Sequence, residues 1–272
     1  MRKPRLTKKP MKKYTLSMLV ALFALASMAT AQTTTPAAVA AAPAAPVAVE
    51  TVSKTEVSAE LGYEGKYIFR GQKITNDIVT GTVSVALPTQ TELSVVAYQN
   101  VNDDDVSVND EFDITLSQGY SIDKVTTLTV GGTGYFYPRA SNKAGETAYS
   151  LEAFAAIGYD AFLSPTFTAG YDFYLKQIFG EGTLSQDIKL PFLANNWKIV
   201  PAVAVGWANA NDLYPALKGK PVHDSYFYGT GKVDLVYEIK NVVVTAGYRY
   251  NYIDNSATDH TSWAGATVAV RF

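Results

Sequence analysis

The sequence predicts an all-β chain, folded over residues 55–272 as a transmembrane, antiparallel, up-and-down β-barrel of about 12 strands. Three observations predict it. Apolar and polar residues alternate with period two from Thr55 to Phe272, as in strands with chemically different faces, and no stretch sustains a helical period. The gaps between the alternating runs are long and short by turns. The apolar face of the runs carries no Asp, Glu, Lys or Arg, and a bilayer enforces that exclusion because Arg or Lys at its midplane costs about 2–4 kcal/mol.

Two segments precede the barrel. MRKPRLTKKP leads to Met11, the expected start, and MKKYTLSMLVALFALASMATAQ then has the parts of a secretory signal. Lys12 and Lys13 form the charged region, Leu16 to Met28 the apolar core, and Ala29-Thr30-Ala31 the small-residue cleavage site. The core is shorter than the roughly 20 residues of a spanning helix, so 1–31 is predicted to be a signal peptide. Its removal takes seven of the 23 bases and none of the 25 acids, leaving 16 against 25, a net charge of about −9. That balance argues against a nucleic-acid partner. There is no cysteine, so an exported chain must hold together without disulfides. QTTTPAAVAAAPAAPVAVE has too few large side chains to bury a core, so 32–54 reads as an Ala/Pro-rich flexible tether. A segment that threads a pore or binds another envelope layer is the alternative reading.

In TEVSAELGYEGKYIF one face takes Val57, Ala59, Leu61, Tyr63, Tyr67 and Phe69, and the other takes Glu56, Ser58, Glu60, Glu64 and Lys66. EFDITLSQGYSI, TAYSLEAFAAIGY, TFTAGYDFYLK and VVVTAGYRYNY repeat the device. Strands are predicted near 56–69, 78–87, 92–100, 111–122, 125–137, 148–160, 166–176, 183–193, 197–207, 225–238, 242–253 and 262–272. The odd gaps are 70–77, 101–110, 138–147, 177–182, 208–224 and 254–261. Each is longer than any of the even gaps 88–91, 123–124, 161–165, 194–196 and 239–241.

Such alternation puts all long loops at one end, the build of outer-membrane barrels with short periplasmic turns. Lipid offers no hydrogen bonds to a backbone, so the sheet must close on itself. The expected location is the cell outer membrane, with its lipid and lipopolysaccharide as surroundings. An even strand number returns the C-terminus to the periplasmic side, where the tether also lies. Tyr67, Phe69, Tyr120, Phe136, Tyr159, Phe173, Trp197, Trp207, Tyr237, Tyr250 and Tyr252 sit where runs approach the interfaces. Gln118 and Gln186 are the strongly polar members of the apolar face, and Pro201 is tolerable beside a short turn. The final run, TSWAGATVAVRF, alternates to its last residue. A terminal aromatic there resembles the signal read by barrel-assembly machinery, and Phe272 would carry it.

GYEGKYIFRGQKITND, with Tyr67, Phe69, Arg70 and Gly71, resembles the opening motif of the TorF-type porin family of Gram-negative bacteria. YFYPRASN followed by AYSLEAFAAIGYD resembles that family's central hairpin, with Tyr137-Pro138 and Glu152 in matching roles. The resemblance runs loosely over Val57 to Phe272, leaves out loop 208–224, and implies an outer-membrane channel.

With apolar residues outward, the lumen should receive Glu60, Glu64, Lys66, Arg70, Asp113, Glu152, Asp172, Lys176, Asp187, Lys189, Lys232, Asp234 and Arg249 as its pore-lining candidates. Adding Glu56, Glu92, Glu111, Glu238, Lys198 and Arg271 gives eleven acids against eight bases, a slight cation preference if water fills the pore. The alternative is a structural or adhesive barrel whose charges pair across an occluded lumen, since about twelve strands lies between filled barrels and open porins. Arg70 could form half of a constriction filter or a structural ion pair. Leu213, Tyr214 and Leu217 in loop 208–224 could plug the barrel, pack as a short helix or bind a partner.

Asp103, Asp104 and Asp105 are a weak candidate for a divalent ion, and they lack the spacing of an EF-hand loop. A hydrolase would draw on His223 with Asp224 or His260 with Asp259, but neighbours on an extended chain point apart and form no dyad. The expectation is a non-enzymatic channel for passive diffusion of small solutes, with no cofactor.

Overall fold

The computed structural model describes residues 54–101, 110–138, 149–209, 225–254 and 260–272. The signal peptide, all but the last residue of the tether, Asp103 to Asp105, His223 and most of loop 208–224 lie outside the described residues. The strands are β1 (Glu56–Phe69), β2 (Gln72–Ala86), β3 (Thr91–Asn100), β4 (Asp110–Ser121), β5 (Thr126–Phe136), β6 (Tyr149–Tyr159), β7 (Thr166–Asp172), β8 (Gln177–Ser185), β9 (Ile188–Lys189), β10 (Trp197–Ala208), β11 (Tyr226–Ile239), β12 (Val242–Ile253) and β13 (Thr261–Arg271). The two-residue β9 continues β8 past an irregularity at Gln186 and Asp187, and both pieces pair with β10. The wall therefore has twelve strands, each antiparallel to its neighbours. β13 against β1, with Leu61 opposite Val268, closes the barrel. Phe272 extends this seam, its N–H donating to the Val57 carbonyl at 2.8 Å.

The two faces fall as the alternation predicts. Leu61, Leu93, Ile114, Leu116, Ile157, Phe167, Val203, Val233 and Tyr248 are exposed on the outside. Glu64, Asp113, Glu152, Asp172, Asp234, Arg249 and Asn251 are buried inside. A soluble fold buries the first set and wets the second. This inversion on a closed sheet is the build of a barrel set in hydrocarbon.

The strand ends depart from expectation at both rims. β2 begins at Gln72 and β8 at Gln177, so the first outer connection is only Arg70-Gly71 and the fourth is 173–176. The turn at 190–196 is longer than either, because the apolar LPFL, predicted as strand, forms part of it. Leu190 folds inward there, and Phe192 and Leu193 stay exposed. The three longest connections, 101–109, 137–148 and 209–225, still share the outer end.

Gln118 lies toward the far end of β4, level with the turn between β2 and β3, rather than at mid-strand. It accepts from Thr91 at 2.6 Å and donates to the Thr89 carbonyl at 2.7 Å. Gln186 likewise accepts from the Leu163 N–H at 3.0 Å. Both outward glutamines satisfy turn atoms at the rim, where the membrane no longer excludes them.

Candidate functional site

The site is built by the tip of the first hairpin. Two features bend it. The β1–β2 register shifts between Tyr67 and Ile68, and Asp77 on the facing strand has φ +51°. Such bulges kink a strand and re-aim its side chains. Tyr67 and Phe69, expected outward, therefore turn inward: Tyr67 stacks on Tyr98 with centroids 4.9 Å apart, and Phe69 meets the edge of Tyr135 at 5.9 Å. The turn itself has φ +46° at Arg70 and +77° at Gly71, the left-handed pair that a two-residue hairpin needs.

In the wall β1 touches only β2 and β13. The tip reaches much further, to five other strands. Arg70 ion-pairs with Glu152 on β6 and donates to Gln177 Oε1 on β8 at 2.7 Å. Its guanidinium carbon stands 3.8 Å from the centre of the Phe179 ring, also on β8. Gln72 donates to the Tyr226 hydroxyl on β11 at 2.8 Å, and Asn251 on β12 donates to the Gly71 carbonyl at 2.7 Å. Contacts with β5, β6, β8, β11 and β12 place the tip inside the lumen, spanning it near the outer mouth.

Gly71 is required there. A Cβ would lie 2.3 Å from Tyr228 Cβ, so the backbone of the tip rests directly against the far wall. The groups at this level are sealed, with Arg70, Gln72, Glu152, Asp172, Gln177, Tyr226 and Asn251 each 0–3% exposed.

The wall side of the site follows from register. Glu152, Asp172 and Gln177 are cross-strand partners in one row over β6, β7 and β8. Asp172 accepts from Ser150 at 2.7 Å and from the Tyr174 and Leu175 N–H groups at 2.9 and 2.8 Å, which fixes the turn that follows it. The Tyr135 hydroxyl reaches Glu152 at 3.2 Å.

A second network lies deeper. Arg249 bridges Glu64 at 3.1 Å and Asp234 at 2.7 Å, Lys232 stands 3.4 Å from Asp234, and the Trp263 indole donates to Glu64 at 2.7 Å. Glu111 and Asp113 are buried together beside Tyr67.

The remaining candidates are peripheral. Glu60 is half-buried in the lumen. Lys66 binds the Thr261 hydroxyl and donates to the Ser262 carbonyl at 2.8 Å, tying the seam. Lys176 is an exposed turn residue with φ +51°, and Asp187 and Lys189 are exposed at the opposite rim, where Asp187 pairs with Lys198 at 2.8 Å. Described His260 stacks on Tyr252 at 4.6 Å.

The alternation puts Arg70 and Glu152 inside without joining them, and it gives no sign of Gln72, Gln177, Phe179, Tyr226 or Asn251 at the site. A usable signal was YFY at 226–228, where aromatics occupy both phases of one strand. A lipid-facing barrel needs them on one phase only.

The fold is similar to that of several solved structures. The COG4313 outer membrane channel from Pseudomonas putida F1 matches with TM-score 0.51 and 11% identity, over 84% of this chain and 99% of that one. LpxR from Salmonella typhimurium matches with TM-score 0.50 and 8% identity, over 79% and 99%. The NanC porin matches with TM-score 0.49 and 12% identity, over 79% and 98%. At these identities the likeness is one of fold. No protein-family model and no curated protein matches the chain, so the resemblance to TorF-type porins stands on its motifs.

Proposed function

We propose that the chain is a porin-like channel of the outer membrane, passing small solutes by passive diffusion through a lumen narrowed by its own first hairpin. The observation that carries this reading is the position of the Arg70-Gly71 tip, held across a charged lumen by side chains of five wall strands. The fold shared with the COG4313 channel supports the same reading.

The fully buried charges of the lumen are Glu64, Glu111, Asp113, Glu152, Asp172 and Asp234 against Arg70 and Arg249. That excess supports a preference for cations. Phe272, which extends the closing seam, fits the role of assembly signal, and the apolar belt fits lipid and lipopolysaccharide as neighbours.

The sealed outer level favours one rival, an occluded structural barrel. Planar-bilayer recording separates the two. Stepwise currents are expected from the wild-type protein, and larger ones from Arg70→Ala. A wild type and variant that both insert without any steps would overturn the channel in favour of the rival.

A further inference from the structure

The surroundings of Arg70 are more specialised than a plug requires. We infer that the wall at Glu152, Gln177 and Phe179 is a guanidinium-binding site, and that Arg70 fills it as an internal stand-in for a guanidinium-bearing solute. This names a substrate class for the proposed channel and rests on that reading.

Three wall groups address one planar cation. The Glu152 carboxylate neutralises it, Gln177 Oε1 accepts one of its N–H groups at 2.7 Å, and the Phe179 ring lies 3.8 Å from its central carbon. A guanidinium suits such a set because its charge is delocalised, its donors lie in one plane and its faces are weakly hydrated. An ammonium could reach the same groups, but as a compact and strongly hydrated point charge it matches this planar set less well.

The cradle is also preorganised independently of the hairpin. Glu152 and Gln177 are anchored in the register row through Asp172, and Tyr135 holds the Glu152 carboxylate at 3.2 Å. These positions come from β5, β6, β7 and β8, all paired strands of the wall. Arg70 instead arrives on a two-residue turn past a register shift in the β1–β2 ladder. Residues on a wall of paired strands keep their geometry when such a tip moves, so a solute entering the lumen would meet a finished site. The acid excess around it, including Asp113 and Asp172, draws cations toward that level.

The test is chemical rescue of Arg70→Ala in the full mature chain, with methylguanidinium chloride as the probe and sodium chloride at equal ionic strength as the control. Two readouts are taken: the midpoint of heat modifiability in detergent, and single-channel current in a bilayer. Methylguanidinium in the millimolar range should raise the midpoint of Arg70→Ala and cut its current, at concentrations about tenfold below those at which sodium has any effect. Wild type, whose cradle Arg70 fills, should respond to methylguanidinium only at concentrations about tenfold above those that act on Arg70→Ala. The double variant Arg70→Ala/Glu152→Gln should lose the response.

Should Arg70→Ala fail to fold in sodium, recovery of folded yield in methylguanidinium supports the site, and equal yield in both salts overturns it. Selective stabilisation without any current would keep the cradle and remove the channel. Current that ignores the difference between the two cations would keep the channel and remove the cradle.

Discussion

The two ends of the lumen are built differently. At the outer end the interior holds large polar and aromatic side chains, and the sealed level runs from Arg70 through Glu152 and Gln177 to Tyr226 and Asn251. Toward the inner end β2, β3, β4 and β10 present Ser84, Ser94, Thr115, Ser117, Ala202 and Ala204, all half-buried, while β11 and β12 bury only the smaller Val236 and Val243 there. Ser84 donates to Ser94 at 2.9 Å, and Thr115 and Thr133 hydrogen-bond across β4 and β5 at 2.9 Å. Small hydroxyls paired along these strands fill less of the lumen than the side chains at the level of Arg70. The difference teaches that occlusion is not a property of a twelve-stranded wall. It is added locally, by folding one hairpin inward among side chains large enough to meet it.

The sharpest way to break that comparison is to remove a charge from the sealed end. Glu152→Ala leaves the Arg70 guanidinium buried without its counter-ion and strips the Tyr135 hydroxyl of its acceptor. Removing one partner of a buried pair costs about 3–5 kcal/mol. Ser94→Ala at the other end should cost less than about 0.5 kcal/mol, as for a solvated site. Urea titration of folding into lipid vesicles measures both. Equal costs would mean that the two ends are packed alike.

A second pair of substitutions asks whether the inner lumen is wet. Leu116 faces hydrocarbon and its neighbour Thr115 faces the lumen. Leu116→Arg should cost about 2–4 kcal/mol, while Thr115→Arg, reaching into water, should cost under about 1 kcal/mol. If Thr115→Arg proved as costly as Leu116→Arg in the same vesicle titration, the inner half would be dry and the contrast between the ends would fall.

Gly71→Ala probes the tip with less force. The left-handed backbone alone costs an alanine about 1–2 kcal/mol, and the added Cβ would meet Tyr228. The tip can relieve that contact by moving off the wall, so bilayer current should rise, though less than for Arg70→Ala. Unchanged current would mean that the tip does not set the constriction.

How far the sequence announced this arrangement depends on depth in the membrane. Where hydrocarbon lies on one side, alternation is compulsory, and Leu61 to Glu64 or Phe112 to Leu116 could be assigned to faces at sight. Beyond the hydrocarbon both faces are wet, and the signal fades. QKITND, 72–77, therefore lacks the alternation of a strand although it is paired strand, and QIFGEG, 177–182, lacks it for the same reason. The boundary is marked by Tyr63, whose ring faces lipid while its hydroxyl donates to Asp77 at 2.5 Å. The inward turn of the hairpin lies just above that line. It depends on a one-residue register shift and on φ at Asp77, neither of which changes composition or period. Arg70 and Glu152 were legible as lumen charges, but their meeting across 82 positions needed the bend.

The smallest expected effect lies at the inner rim, away from the inward-folded hairpin, where local turn chemistry orders the strand ends. Asp123 accepts through Oδ1 from the Val125 and Thr126 N–H groups at 2.9 and 2.8 Å, closing the turn between β4 and β5. These backbone donors hold its carboxyl below the ordinary Asp range. A group depressed in the folded state contributes stability at pH above its unfolded value and loses it as pH falls through the folded one. The turn should thus survive acidification through the ordinary Asp range and loosen only below it, with the barrel intact. Amide exchange at Val125 and Thr126 follows the step. Asp123→Asn keeps an oxygen acceptor without a titrating proton, so the turn should persist and the step should vanish. If the wild-type amides instead opened within or above the ordinary range, the N–H bonds would not be what holds this rim, and its strand ends would owe their order to the wall alone.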